Sequence, residues 1–390
     1  KNNGKKQNTS SFVSDVHREF ALSEEVHKTR VNQLRREEEA ISREREVLER
    51  EKLALAREIK RTRDEDDSRF NDFPMLGAQE PGCERYVLTN LLGRGGFSEV
   101  YRAWDCHEMK EVACKLHSLN PRWSEERKRA YVRHAARECS IHKSLKHDHV
   151  VKLLDVFEVD SDTFCTVLEL CEGDDLDARL KNTGSMSERE ARAIVAQIFA
   201  GLAYCHGDTK RVIHYDLKPG NILFDNSGRV KITDFGLSKV KQHSKATRQT
   251  GVTGTVSYAA PEVIVGNQFT ESSDIFSYGV TIWEIIARKI PWDGLTEYQI
   301  VYRMSSALDN PDTEYAACEQ HLKMTETTTK ATPFSPPLQS ILRDCWFKLP
   351  ERRPKMGDVL VRMIEAHKVA CKEERTKRRE NETSSASTSK

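Results

Sequence analysis

Ten cysteines are scattered through the 390 residues without a single Cys-x-x-Cys pair or a His/Cys cluster of zinc-binding spacing. A disulfide framework and a structural zinc site are therefore not expected. Cys114, Cys165, Cys171, Cys205 and Cys345 lie in apolar runs and read as buried thiols of a reducing compartment. No apolar stretch approaches the ~18 residues of a membrane helix, and the first residues lack the apolar centre of a secretory leader. The formal net charge is +1, so no basic excess points to direct nucleic-acid binding or to a membrane surface. These absences predict a soluble intracellular chain. The opening at Lys1 instead of Met reads as a piece of something longer.

Glycine and proline are also missing from His17 to Arg63, a stretch dense in Glu, Arg, Lys, Leu and Ala that predicts one long helix. Leu34, Ile41, Leu48 and Leu55 fall on one heptad line, with Val31 and Ile59 continuing the seam at its ends. The partner line carries Glu38, Arg45 and Lys52, so half of the seam is apolar. Both a coiled-coil helix for homo-oligomerisation through 17–63 and a solitary or domain-packed charged helix fit this pattern. Residues 1–16 are polar and expected to be flexible. Residues 64–85 open on an acidic run and contain Pro74, Gly77, Pro81 and Gly82, which predicts a linker.

From residue 86 short β-branched and aromatic runs take over: Tyr86–Leu92, Val100–Asp105, Glu111–Leu116, Val151–Glu158 and Phe164–Leu170. Ser124–Leu145 has helical periodicity, with Ser124 as N-cap and Glu125 and Glu126 in the first turn. Beyond Asp175 helical patterns dominate, notably Ser187–His206, Ser272–Arg288 and Leu338–Trp346. The expected fold class is thus α+β: an antiparallel sheet with one helix (86–170), a mostly helical lobe (171–366) and the functional site between them. Residues 367–390 are basic, then rich in Ser and Thr, and are expected to be disordered.

The chemistry is concentrated in His214-Tyr215-Asp216-Leu217-Lys218-Pro219-Gly220-Asn221, followed downstream by Asp234-Phe235-Gly236. A carboxylate, an ammonium, an amide and a second carboxylate stand in the order needed to move a phosphoryl group to a hydroxyl. Asp216 can accept the hydroxyl proton, Lys218 can neutralise the moving phosphate, and Asn221 and Asp234 can ligate magnesium. Gly93-Arg94-Gly95-Gly96-Phe97-Ser98-Glu99-Val100 lies between two predicted strands. Its glycines would let backbone amides approach phosphates, although such a hairpin alone is more often a plain tight turn. Lys115, in the apolar strand Val112-Ala113-Cys114-Lys115, needs charged partners. Nucleotide phosphates and Glu138 on the following helix would supply them; the plainer reading of Glu138 is a solvated helix carboxylate. His214 is expected to pack the loop against Phe235, and Glu262 to pair with Arg353. Asp175 is either a ribose contact or a solvated loop acid.

These motifs resemble the eukaryotic protein-kinase family over 86 to about 366, and Lys218 with Gly254-Thr255 resembles its serine/threonine branch. More closely, the run Leu91–Tyr101, Phe164–Glu169, Cys171-Glu172-Gly173 and His214-Tyr215-Asp216 look like the Tousled-like kinases, as does the segment Arg57–Phe70. The resemblance implies a bilobal kinase fold that binds ATP with Mg2+. Around the nucleotide it implies Leu92, Gly93, Arg94, Gly95, Gly96, Phe97, Ser98, Glu99, Val100, Ala113, Lys115, Glu169, Cys171 and Asp175. It implies Asp216, Lys218, Lys115 and Glu138 in catalysis, Asn221 and Asp234 on the metal, and Asp274 capping the catalytic loop. It further implies a nuclear protein that oligomerises through coiled coils and phosphorylates protein substrates, histone chaperones among them, in chromatin assembly.

Two departures bear on regulation and substrate. Tyr215 stands where most kinases regulated through their activation loop carry an Arg that clamps a phosphorylated residue. We therefore expect activity to depend on assembly more than on phosphorylation, with Thr247, Thr250 and Thr253 as candidate autophosphorylation sites. The ending Ala259-Ala260-Pro261-Glu262 and the segment Asp274–Glu284 differ from the Tousled-like pattern where substrate peptides dock. Two other readings compete, a pseudokinase scaffold and a small-molecule phosphotransferase. Retention of Lys115, Glu138, Asp216, Asn221 and Asp234 argues against the first, and the Gly254–Glu262 segment against the second.

Overall fold

The computed structural model describes residues 4–77, 84–95, 98–120, 122–182, 188–235, 256–266, 268–316 and 336–365, with 318, 322 and 368 besides; in parts of some helices it describes the backbone only. The chain divides into two compact units, Lys1–Arg63 and Asp64–Lys390. Helix α1 spans Gly4–Asp66. The expected flexible stretch 1–16 is thus helical from Gly4 onward, and the reason is local. No Gly or Pro occurs between Gly4 and Pro74, and each residue added to an existing helix gains one backbone hydrogen bond. Pairs such as Arg35–Glu39 at 3.5 Å follow the (i, i+4) spacing along the exposed surface. Val31, Leu34, Ile41, Leu48, Leu55 and Ile59 are all exposed.

The second unit opens with a correction to the expected linker. Residues 64–66 finish α1, and strand β1 (Met75–Gly77) pairs antiparallel with β2 (Glu84–Arg94). Phe70 and Leu76 are buried with Tyr86, Leu88, Leu91 and Tyr101 in one apolar cluster. Pro74 directly precedes β1 and Gly77 is its last residue, while Phe70, Phe73 and Leu76 carry enough apolar surface to dock the segment. Most of this linker is part of the sheet lobe.

The sheet continues through β3 (Ser98–Asp105), β4 (Lys110–Ser118), β5 (Leu153–Asp160) and β6 (Thr163–Glu169), in the order β1-β2-β3-β4-β6-β5. All of its pairings are antiparallel. Alternation along each strand gives the sheet two apolar faces. Tyr101, Cys114, Leu116, Cys165 and Val167 join the cluster of Phe70 and Leu76, whereas Ala113, Leu153 and Leu168 pack on the opposite face with Cys139 of helix α2 (Glu125–Lys143). Ser124 caps α2 as expected, its hydroxyl accepting from Arg127 N at 3.4 Å.

The larger lobe contains α3 (Leu176–Asn182), α4 (Glu188–His206), the hairpin β7–β8 (Ile222–Phe224 and Val230–Ile232), α5 (Pro261–Gly266), α6 (Glu271–Ala287), α7 (Glu297–Asp309) and α8 (Pro336–Cys345). Helix α6 is buried from Ser273 to Ala287 and forms the axis of this lobe. Gly279 permits the close approach to the end of α8: an added Cβ would lie 2.8 Å from the Cβ of Cys345. Glu262 and Arg353 form the expected pair, with contacts of 2.7 and 2.9 Å, locking α5 to the segment after α8. The free cysteines Cys114, Cys165, Cys205 and Cys345 are buried, and Cys171 is half-buried. The expected disordered tail lies outside the described residues apart from Lys368.

Candidate active site

The β7–β8 hairpin sets the geometry of the site. Its register pairs Ile222 with Ile232, so Asn221 at one end and Thr233-Asp234 at the other become neighbours, joined by Thr233 N to Asn221 O at 3.0 Å. A short 3-10 turn (Pro219–Asn221) then carries the chain back to Asp216. Asp216 is held on two sides: Lys218 Nζ donates to its Oδ2 at 2.8 Å, and Asn221 Nδ2 donates to its carbonyl at 2.7 Å and to Oδ2 at 3.2 Å. With its amide nitrogen so used, Asn221 is left with Oδ1 as the oxygen suited to a cation.

The backbone of this loop is fixed from below. Asp274 of buried α6 accepts from His214 N at 2.6 Å and from Tyr215 N at 3.0 Å, the capping role the resemblance implies. His206 Nε2 bonds the same carboxylate at 2.9 Å. His214 Nε2 faces the carbonyl of Thr233 at 2.8 Å; a carbonyl can only accept, so this nitrogen carries the proton. Nδ1 is then the acceptor for Asp216 N at 3.3 Å. Tyr215 adopts φ +72° and sets its ring edge-on to Phe269, with centroids 5.1 Å apart.

Across the cleft, β4 carries Lys115 on the same face as Ala113. Lys115 is buried and its Nζ forms an ion pair with Asp234 Oδ1. Asp234 has φ +66°, a backbone that turns its carboxylate towards Lys115 while Phe235 goes into the core. Phe235 packs between two imidazoles, 4.7 Å from His214 and 5.5 Å from His142. Burial lowers the pKa of His142, and its Nε2 donates to Val151 O at 2.7 Å. Lys115, His142, Thr166, Leu168, Asp234 and Phe235 line a small cavity behind the ion pair. His142 and Thr166 were not among the residues expected here. Helical spacing offered a signal for His142, which sits four residues after Glu138 and so on the same face of α2.

The other expected residues are placed as follows. Glu138 lies on α2, but its side chain is outside the described set. Gly96, Phe97, Gly236 and the candidate phosphorylation sites Thr247, Thr250 and Thr253 are also outside the described residues. Leu92, Gly93, Gly95 and Ser98 form the hairpin, closed by Gly95 N to Ser98 O at 2.7 Å. Val100 and Ala113 from the sheet and Leu223 from β7 belong to one apolar cluster, which Cys171 also touches. Burial pushes the Cys171 thiol up to about 12. The Glu169 carboxylate takes the buried ammonium of Lys231 at 2.7 Å, so a nucleotide would meet its backbone rather than its side chain. Asp175 Oδ1 accepts from Ala178 N at 2.7 Å and caps α3, a role neither expectation for this residue included.

Arg94 and Glu99 depart from expectation. They are cross-strand partners at the base of the hairpin and pair with each other at 3.1 Å. Glu99 alternates with Val100, so its carboxylate lies on the face of Tyr101 and bonds Ser68 Oγ at 2.6 Å. Their side chains are turned away from Ala113 and Lys115; only their backbones face the cleft.

The protein kinase domain family model matches residues 86–364. Among curated relatives, the chain is 48 % identical over 297 residues to the serine/threonine-protein kinase TOUSLED of Arabidopsis thaliana, covering 74 % of this chain and 42 % of that protein. It is 42 % identical over 310 residues to the human serine/threonine-protein kinase tousled-like 2, covering 76 % of this chain and 39 % of the relative. With the zebrafish (Danio rerio) tousled-like 1-B the identity is 43 % over 313 residues, 77 % of this chain and 40 % of the relative. The chain thus spans about two fifths of the length of the curated relatives it matches.

Proposed function

This chain belongs to the protein kinase domain family, and from that premise we propose that it transfers the γ-phosphoryl group of ATP to serine or threonine hydroxyls of proteins. The observation that carries the reading is one constellation: the Lys115–Asp234 pair beside Asp216, itself oriented by Lys218 and Asn221. Asp216 accepts the proton of the attacking hydroxyl. Lys218, already on its carboxylate, follows the negative charge as the phosphoryl group arrives. Lys115 leaves Asp234 for the nucleotide phosphates when they bind. A magnesium ion held at this end of the β7–β8 hairpin would neutralise phosphate charge. Asn221 Oδ1 and the Asp234 carboxylate are hard oxygen donors suited to it.

The scaffold reading is disfavoured by the same retained groups. Relatives named serine/threonine kinases support the choice of hydroxyl. By resemblance, the substrates we propose are histone chaperones, in the nucleus. The heptad stripe of α1 supports self-association, and the packing of Tyr215 on Phe269 gives the catalytic loop a support that needs no phosphate.

The test is transfer from [γ-³²P]ATP with magnesium to a histone chaperone and to generic protein. Asp234→Asn and Lys115→Met should each lower transfer at least about a hundredfold in protein that still unfolds cooperatively, with some loss of stability because each removes one partner of a partly buried ion pair. Because residues 64–77 are part of the sheet lobe, a helix-deleted comparison should begin at Asp64. Absence of transfer from well-folded wild-type chain would refute the reading.

A further inference from the structure

The residues that end α1 and run to β1 lie along the edge and outer face of the lobe that carries the glycine-rich hairpin. Three contacts reach that hairpin or the strand leading into it. Glu65 Oε1 accepts from Leu91 N at 2.7 Å, satisfying an edge amide of β2 beyond the reach of β1. Asp64 O accepts from Arg94 Nη1 at 3.3 Å. Ser68 Oγ donates to Glu99 Oε2 at 2.6 Å. Arg94 and Glu99 are the paired residues on either side of the glycine turn, so both arms of the hairpin are tied to one segment.

Ser68 is the centre of the arrangement and is 5 % exposed. While donating to Glu99, its hydroxyl accepts from Tyr101 OH at 2.7 Å and from Phe70 N at 3.1 Å. One donor and both acceptor positions of the hydroxyl are therefore in use. Phe70 and Phe73 each meet the Tyr101 ring edge-on, at 6.4 and 6.3 Å, which sets the segment on the sheet.

We propose that residues 64–76 are a positioning strap for the phosphate-binding hairpin, with Glu65 and Ser68 setting the affinity for nucleotide without touching it. A hairpin whose outer face is tied down is held ready to bring its amides to the phosphates; an untied one must be ordered when nucleotide binds, and the affinity falls accordingly. The strap continues directly from α1, so a change at the end of that helix is felt first at the hairpin. By linkage, nucleotide must in turn stabilise the strap.

The inference rests on the nucleotide-binding reading above, and the experiment separates the two. ADP affinity by calorimetry and KM and kcat for MgATP are measured on the full chain and on Glu65→Ala, Ser68→Ala and Glu65→Gln. Glu65→Ala and Ser68→Ala should weaken ADP and raise KM by about threefold to tenfold, with kcat at saturating ATP within about twofold. Glu65→Gln keeps an acceptor oxygen for Leu91 N and should behave as wild type. Unchanged affinity in folded Ala variants overturns the strap and leaves the kinase reading intact; no ADP binding by wild type overturns both. Hydrogen exchange on wild type covers the case in which an Ala variant does not fold. ADP should slow exchange of the amides in 64–76, and no slowing there overturns the proposal.

Discussion

Asp234 occupies a left-handed backbone position, φ +66°, that a non-glycine residue adopts at an energetic cost. The ion pair to Lys115 on one side and the burial of Phe235 between two imidazoles on the other hold it there. Glu284 is a second residue held in an unfavourable setting. It is buried on α6, accepts a hydrogen bond from Tyr258 OH at 2.7 Å, and burial raises its carboxyl from 4.5 to about 7. The folded state therefore holds its proton more tightly than the unfolded chain does. Its contribution to stability is complete below about pH 4.5 and is lost as pH rises to about 7, beyond which the penalty is constant. Glu284→Gln should remove that penalty. The variant should be more stable than wild type at pH 8, by an amount bounded on the order of 3 kcal/mol, and similar to it near pH 4.5. Urea unfolding at both pH values checks this; an equal gain at both would show that titration is not the cause.

Among the helices, α5 and α6 depend on one buried ion pair. Arg353 contacts both carboxylate oxygens of Glu262 and also donates to Ser272 O at 2.9 Å and Phe347 O at 2.8 Å. Ser273 Oγ supplies a further bond to Glu262 at 2.9 Å. Removing either partner leaves the other buried charge uncompensated, which costs about 3–5 kcal/mol. Arg353→Met should therefore lower stability by that amount in denaturant titration. A loss below about 1 kcal/mol would mean the pair is far better solvated than its geometry indicates. The pair was legible in the sequence because both residues stand in recognisable motifs. Asp175 was not: a carboxylate just before a short helix has the same one-dimensional signature whether it caps that helix or faces a ligand, and only the path of the chain distinguishes them.

At the scale of the molecule, the described residues of α1 leave a row of apolar side chains exposed. Leu34, Ile41, Leu48 and Leu55 are 49–62 % exposed and fall on one heptad line. We expect the full chain to self-associate and the double variant Ile41→Glu/Leu48→Glu to sediment as a monomer. We also expect phosphatase treatment to leave phosphoryl transfer by the wild-type assembly largely intact, given the Tyr215–Phe269 packing. Monomeric wild type in sedimentation equilibrium, or transfer abolished by the phosphatase, would each refute the corresponding expectation.

Features written in consecutive or periodic positions could be read without coordinates. These include the five main strands, the Ser124 cap, the uninterrupted run behind α1, and the loop that places Asp216, Lys218 and Asn221 before Asp234. Their physics is local: hydrogen bonds along one segment, a pleat or helix period, and functional groups a few bonds apart. The orientation of Arg94 and Glu99 away from the cleft, the docking of residues 64–77 on the sheet and the engagement of Glu169 by Lys231 were decided elsewhere. Ser68 reaches Glu99 across 31 positions, and Lys231 reaches Glu169 across 62. Such contacts have no period and no fixed spacing. They exist because folding closes long loops and brings apolar surfaces together, and that juxtaposition selects which polar groups meet.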